Sequence, residues 1–170
     1  MSRARCIAML LGAVLLTGCA GYQLGPTNQV APREKSVQVN PFANQTLEPK
    51  LTDALTSQLR KQLSKDGTYR LASHDDGDII VSGVITGYNR HELSFERSDT
   101  LTVRDYRVTL TAHVTARERS SGKILLDQPV TGFTFVRVGT DLVSSERQAL
   151  PLLAENLARN VTDLLADGTW

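Results

Sequence analysis

"YRVTLTAHVTARE", residues 106–118, alternates without a break. Tyr106, Val108, Leu110, Ala112, Val114 and Ala116 share one parity; Arg107, Thr109, Thr111, His113, Thr115 and Arg117 share the other. Successive side chains of a strand point to opposite faces, so the segment over 102–119 reads as a strand with one face on a core and one polar face. "RSSGK", 119–123, is a hairpin turn with Gly122 where a positive φ is needed. "ILLDQPVTGFTFVRV", 124–138, returns as a second strand, and Pro129 predicts a break in it because proline cannot donate to a ladder.

Upstream, "IIVSGVITGYNR" from Ile79 is a longer strand with apolar residues on both parities. Such a strand is buried on both faces, or sits centrally where something covers each side. "SVQVN", 36–40, and "TYRLAS", 68–73, are shorter strands, and "HDDGD", 74–78, is a turn. Leu51, Leu55, Leu59 and Leu63 recur every four residues within 48–65, with polar residues on the other faces. That is an amphipathic helix, with Thr46 as its expected N-cap and Gly67 as its stop. A last helix within 144–166 carries Ala149, Leu153, Leu157, Val161 and Leu165; Pro151 predicts a start or a kink near Leu150. Two amphipathic helices on one face of a mixed four- to five-stranded sheet make a two-layer α+β sandwich. The polar face of the long strand is left for solvent or a partner.

The first residues are of another kind. Arg3 and Arg5 form a positive region, Ile7 to Leu16 an apolar run of about ten residues, and Leu16-Thr17-Gly18-Cys19 follows. A spanning helix needs roughly 20 apolar residues, so residues 1–18 read as a cleaved signal peptide. The tetrad resembles the lipobox of bacterial lipoproteins. That resemblance implies cleavage before Cys19, diacylation of its sulfur and acylation of the new amino terminus. Ala20, where enteric-type lipoproteins kept at the inner membrane often carry Asp, favours the outer membrane. Residues 19–35, rich in Gly, Pro and polar side chains, are a lipidated tether, and 36–168 a single domain. Cys6 leaves with the leader and Cys19 carries lipid, so the folded part has no thiol for disulfide or thiolate chemistry.

Nineteen basic against eighteen acidic residues give +1, which becomes −1 once Arg3 and Arg5 are removed. A near-neutral, aromatic-poor domain argues against nucleic acid as a partner. His74, His91 and His113 share no metal-ligand spacing, and Asp75, Asp76 and Asp78 lack the closing Glu of a calcium loop. No nucleophile elbow or phosphate loop occurs. Neither catalysis, a metal nor another cofactor is expected. One polar cluster stands out in "NRHELSFERSDTLTVRDYR", 89–107, around a strand-to-strand connection. Its mixed signs describe a self-paired hairpin tip, although its guanidinium groups could also pair with phosphate.

Taken in order, lipobox Cys19, "GYQLG", "PFANQTLEPKLTDALTSQLRKQL", "DGTYRL", "GDIIVSGVITGYNR", the 106–125 hairpin and "ERQALPLLAENLARNVTDLL" resemble the LptE-type lipopolysaccharide-assembly lipoproteins. The resemblance covers essentially the whole chain after the leader. It implies a non-enzymatic outer-membrane lipoprotein on the periplasmic face. Such a protein plugs the lumen of an LptD-type β-barrel, helps it assemble and binds lipopolysaccharide. It also implies a lipopolysaccharide-binding basic residue in the connection at 95–101, which here is Arg97; Arg137, after the last strand, and Arg104 stand behind it. "PFANQT" also looks like the "F-x-N-x-T" opening of lipoproteins that scaffold a secretion channel or activate a cell-wall synthase. The last helix and "DGTYRL" suit the LptE pattern better.

Overall fold

The computed structural model describes residues 34–97, 99, 102–138 and 141–168. The leader, Cys19 and nearly all of the tether fall outside these residues. Among them, β1 (Ser36–Val39) and β2 (Ala43–Asn44) lead into α1 (Leu51–Asp66). Then come β3 (Arg70–Leu71), β4 (Ile79–Phe95), β5 (Val103–Glu118), β6 (Ile124–Arg137) and α2 (Leu142–Asp167). The strands form one mixed sheet in the order β3-β1-β4-β5-β6, with two-residue β2 pairing β4 as the sixth strand. β1 and β2 run parallel to β4, whereas β4, β5 and β6 are antiparallel. Both helices cover one face, as expected of the two-layer α+β sandwich.

The leucine stripe of α1 is fully buried, as is the even-numbered face of β5 from Val108 to Ala116. Those residues meet Leu153, Leu157, Val161 and Leu165 of α2 in one core. Gly67 ends α1 at φ 79°, its N–H donating to the Leu63 carbonyl at 3.3 Å. The N-cap position of α1 is Lys50, not Thr46, and has no side-chain cap. Thr46 instead belongs to the turn that feeds the helix. Its N–H and hydroxyl donate to Asn44 Oδ1 at 2.9 and 2.8 Å, while Asn44 Nδ2 donates to the Glu48 carbonyl at 2.7 Å. Phe42 is buried at the head of the same turn, against Gly83. The motif F-x-N-x-T is therefore a device for turning β2 into α1.

Three further expectations change. β6 is not broken at Pro129, which pairs with His113 inside a continuous strand. β6 is the sheet's edge, where a missing donor facing outward costs nothing. α2 begins at Leu142, so of the two alternatives for Pro151 a helix start near Leu150 is excluded and Pro151 lies inside the helix; Asp141 caps it by accepting from the Ser144 N–H at 2.7 Å. β4 does sit centrally, but only one of its faces is covered: Ile80 and Val84, on the other, are half-buried. β4 also runs five residues past Arg90, to Phe95, so the strand extends to the start of the connection at 95–101.

Candidate functional site

Among the described residues, the odd-numbered face of β5 and β6 carries no helix. His113, Thr111, Thr109 and Arg107 on β5 stand beside Pro129, Thr131, Phe133 and Phe135 on β6. Phe133 and Phe135 lie on this polar parity because they alternate with buried Gly132 and Val136 on the other face of the strand. Their rings meet edge to face, centroids 5.7 Å apart. The Arg107 guanidinium lies 4.0 Å from the Phe133 centroid, within cation–π range. Phe135 is 64% exposed. Farther along, His113 Nε2 and Thr115 Oγ1 both hydrogen-bond Asp127 Oδ1, at 2.8 and 3.0 Å. These bonds, that of His113 first, lower the Asp127 carboxyl below its ordinary range.

From Asn89 onward β4 is almost entirely exposed, so the β4–β5 hairpin reaches past the helices. Its root is clipped to α2. Arg90 Nη2 donates to Glu146 Oε2 at 2.8 Å, and Arg90 Nε donates to Glu146 Oε1. Tyr88, beneath Arg90, is pushed up to about 12, first by burial and then by the Glu146 charge. A cleft of about 520 Å³ opens beside these residues, lined by Thr46, Glu48, Gly87 and Asn89 among others, with exposed Leu47 on it.

The three basic residues expected to bind are not equivalent. Arg137 Nε donates to Asp105 Oδ1 at 2.9 Å, and Arg104 Nε lies 4.0 Å from Asp105 Oδ2. Ser94 Oγ also donates to that carboxylate at 2.6 Å, and together these partners lower it below the usual range, Ser94 contributing most. One carboxylate thus gathers Arg104 and Arg137. Arg97 is exposed in the connection, which is closed by the Glu96 N–H donating to the Thr102 carbonyl at 2.9 Å. The structure does not bring Arg97 to the Asp105 carboxylate. Cys19 lies outside the described residues.

"HDDGD" is structural. Asp78 Oδ2 accepts from the N–H and hydroxyl of Ser36 at 2.8 and 2.7 Å. Arg119 donates to the carbonyls of Gly77 and Asp75 and to Gln38 Oε1, fastening the turn to β1. Among the described residues no three metal-ligating side chains converge. No helix of the described residues is long and apolar enough to cross a membrane.

Comparison with known proteins adds what geometry alone lacks. Three solved structures share the fold at low identity. A PelC dodecamer from Paraburkholderia phytofirmans is 16% identical (TM-score 0.54; 84% of this chain and 94% of that one). A minor lipoprotein from Acinetobacter baumannii is 17% identical (TM-score 0.51; 78% and 92%). Protein XCC0632 from Xanthomonas campestris is 9% identical (TM-score 0.61; 86% and 89%). At such identities the likeness is one of fold. No curated protein matches the sequence. A family model does, over residues 34–165, and its description is lipopolysaccharide assembly. Those residues include both helices' buried stripes and the whole β4–β6 sheet, and the chain belongs to the LptE family.

Proposed function

We propose that this chain is an outer-membrane lipoprotein that seats in the lumen of an LptD-type β-barrel, helps the barrel assemble and binds lipopolysaccharide during delivery to the outer leaflet. Residues 1–18 are removed, Cys19 takes the lipid, 19–35 are the tether and 36–168 act as one domain. Two or more acyl chains would make the anchoring stable. The observation that supports the reading best is the uncovered sheet face, continued by a hairpin that projects past the helices. A compact body with a largely polar open face suits the polar interior of a large barrel. Lipopolysaccharide phosphates would meet Arg97 first, with Arg104 and Arg137 behind it, through charge-assisted forked hydrogen bonds.

The test is a pull-down from native outer membranes in detergent, with a tag after Trp170 and mass spectrometry of the eluate. A barrel protein in stoichiometric yield is expected. Recovery of a ring of this chain alone, or of a cell-wall synthase, would favour the scaffold reading instead. "PFANQT" does not favour that second reading, because Phe42, Asn44 and Thr46 are all used to build the turn. For the ligand, Arg97→Asp should weaken lipopolysaccharide binding by the purified protein; unchanged binding removes Arg97 from the proposal.

A further inference from the structure

The two edges of the sheet differ greatly in length. β3, with two residues, ends one side; β6, with fourteen, ends the other. A long free edge is a template for a strand from another molecule. At the centre of β6 the template is already occupied. Pro129 brings no donor. The Phe133 N–H donates to Asn156 Oδ1 at 3.0 Å, and the Thr131 carbonyl accepts from Asn160 Nδ2 at 2.8 Å. A backbone N–H can only donate and a carbonyl only accept, so each amide is oriented by its partner.

The spacing makes the match. Four residues of helix rise about 6 Å, and two residues of strand span roughly 6.6 Å. Asn156 and Asn160 on α2 therefore reach Phe133 and Thr131 in register. α2 is held close by Gly132, where a Cβ would stand 2.5 Å from the Leu157 nitrogen. Asparagine is a poor residue for a helix interior, and here both side chains serve the neighbouring strand.

We propose that Asn156 and Asn160 guard the β6 edge, keeping it from pairing antiparallel with β6 of a second copy of this chain. A second copy is the natural occupant, because one edge meets its own twin about a two-fold axis with donors opposite acceptors at every position but Pro129. The guard acts by filling the central donor and acceptor that such a pairing needs first.

The test uses the full chain in detergent, native and Asn156→Ala/Asn160→Ala, with protein mass separated from detergent by light scattering across a concentration series. Alanine raises helix propensity, so the helix is retained. The double variant should dimerise at least about tenfold more tightly than the native chain. Adding Thr131→Lys, a charge on the edge, should reverse this. Three results would overturn the proposal: equal self-association of native and double variant, dimers that persist with Thr131→Lys, or a native chain already paired through β6. Should the double variant fail to fold, Asn156→Ala alone is read the same way, and unchanged association counts against the guard.

Discussion

Arg90 and Glu146, on β4 and α2, are joined by two parallel hydrogen bonds, Nη2 to Oε2 at 2.8 Å and Nε to Oε1. The two ends of this pair differ in exposure. The Arg90 side chain is about half exposed, whereas that of Glu146 is at 9%. Removing either partner therefore has a different consequence. Glu146→Ala leaves a guanidinium that water can reach, and should cost about 1 kcal/mol. Arg90→Ala leaves a carboxylate in a nearly dry site, and should cost about 2–3 kcal/mol. Chemical denaturation of both variants reads the order directly. Equal losses would mean that water enters the site once Arg90 is gone.

Tyr88 beside that pair carries a pH signature. Its hydroxyl is pushed up to about 12, mainly by burial, then by Glu146. In the unfolded chain it would ionise near ~10. Its neutral form thus favours the fold fully below pH ~10, and that advantage is lost between about pH 10 and 12. Tyr88→Phe should flatten the decline of thermal stability over that window. In ultraviolet titration the native chain should show a late-ionising tyrosine that the variant lacks.

The contact between α2 and β6 leaves no room at Gly132. A methyl there would press on backbone atoms of Leu157, at 2.5 to 2.7 Å, which cannot swing aside as a side chain can. Gly132→Ala should cost about 1–3 kcal/mol, the usual range for overpacking. At this chain length the melting temperature should fall by about 2–4 °C for each kcal/mol. Gly87→Ala, also on the sheet, meets its nearest atom at 3.4 Å and should be far milder.

Acid should act through the turn at 74–78. The Asp78 carboxyl is lowered, first by the Ser36 hydroxyl and then by the Ser36 N–H. A lowered carboxyl adds stability above its unfolded value, near ~3.9, and that contribution is lost as pH falls through its folded value. Ser36→Ala removes the larger of the two causes. The gap in melting temperature between native and variant should be widest at neutral pH and close below pH ~4. A gap that stayed constant into acid would assign the loss to packing.

How much of this was legible depended on whether the cause was local. The alternation from Tyr106 to Arg117 and the leucine stripe from Leu51 to Leu63 are local patterns, and both faces came out as read. Pro129 was misread because its effect depends on strand order, and only the sheet reveals that β6 is an edge. Thr46 does not cap α1 because its hydroxyl is engaged in the preceding turn, donating to Asn44 Oδ1 and accepting from the Glu48 N–H, a bond between residues that only the folded turn brings together. The Arg90–Glu146 clip joins residues 56 apart, beyond any spacing rule. Phe133 and Phe135 were within reach: they share parity with Arg137 and alternate with buried Val136, which already places them on the open face.

The proposed binding end also gives Asp105 a measurable role. Its carboxylate holds Arg137 at 2.9 Å and stands 4.0 Å from Arg104, offsetting their charge where lipopolysaccharide phosphates would approach. Asp105→Asn removes the negative charge; its one amide oxygen can still accept from Arg137 in place of Oδ1, while its NH2, in place of Oδ2, can donate to the Ser94 hydroxyl. If Arg104 and Arg137 face the ligand, the variant should bind lipopolysaccharide roughly twofold to fivefold more tightly at low salt, the scale of one exposed charge interaction. The gain should vanish near 1 M salt, where the screening length is about 3 Å. Binding that is unchanged at low salt in Asp105→Asn, yet weakened in Arg97→Asp, would place the phosphates at the tip of the hairpin and away from its root.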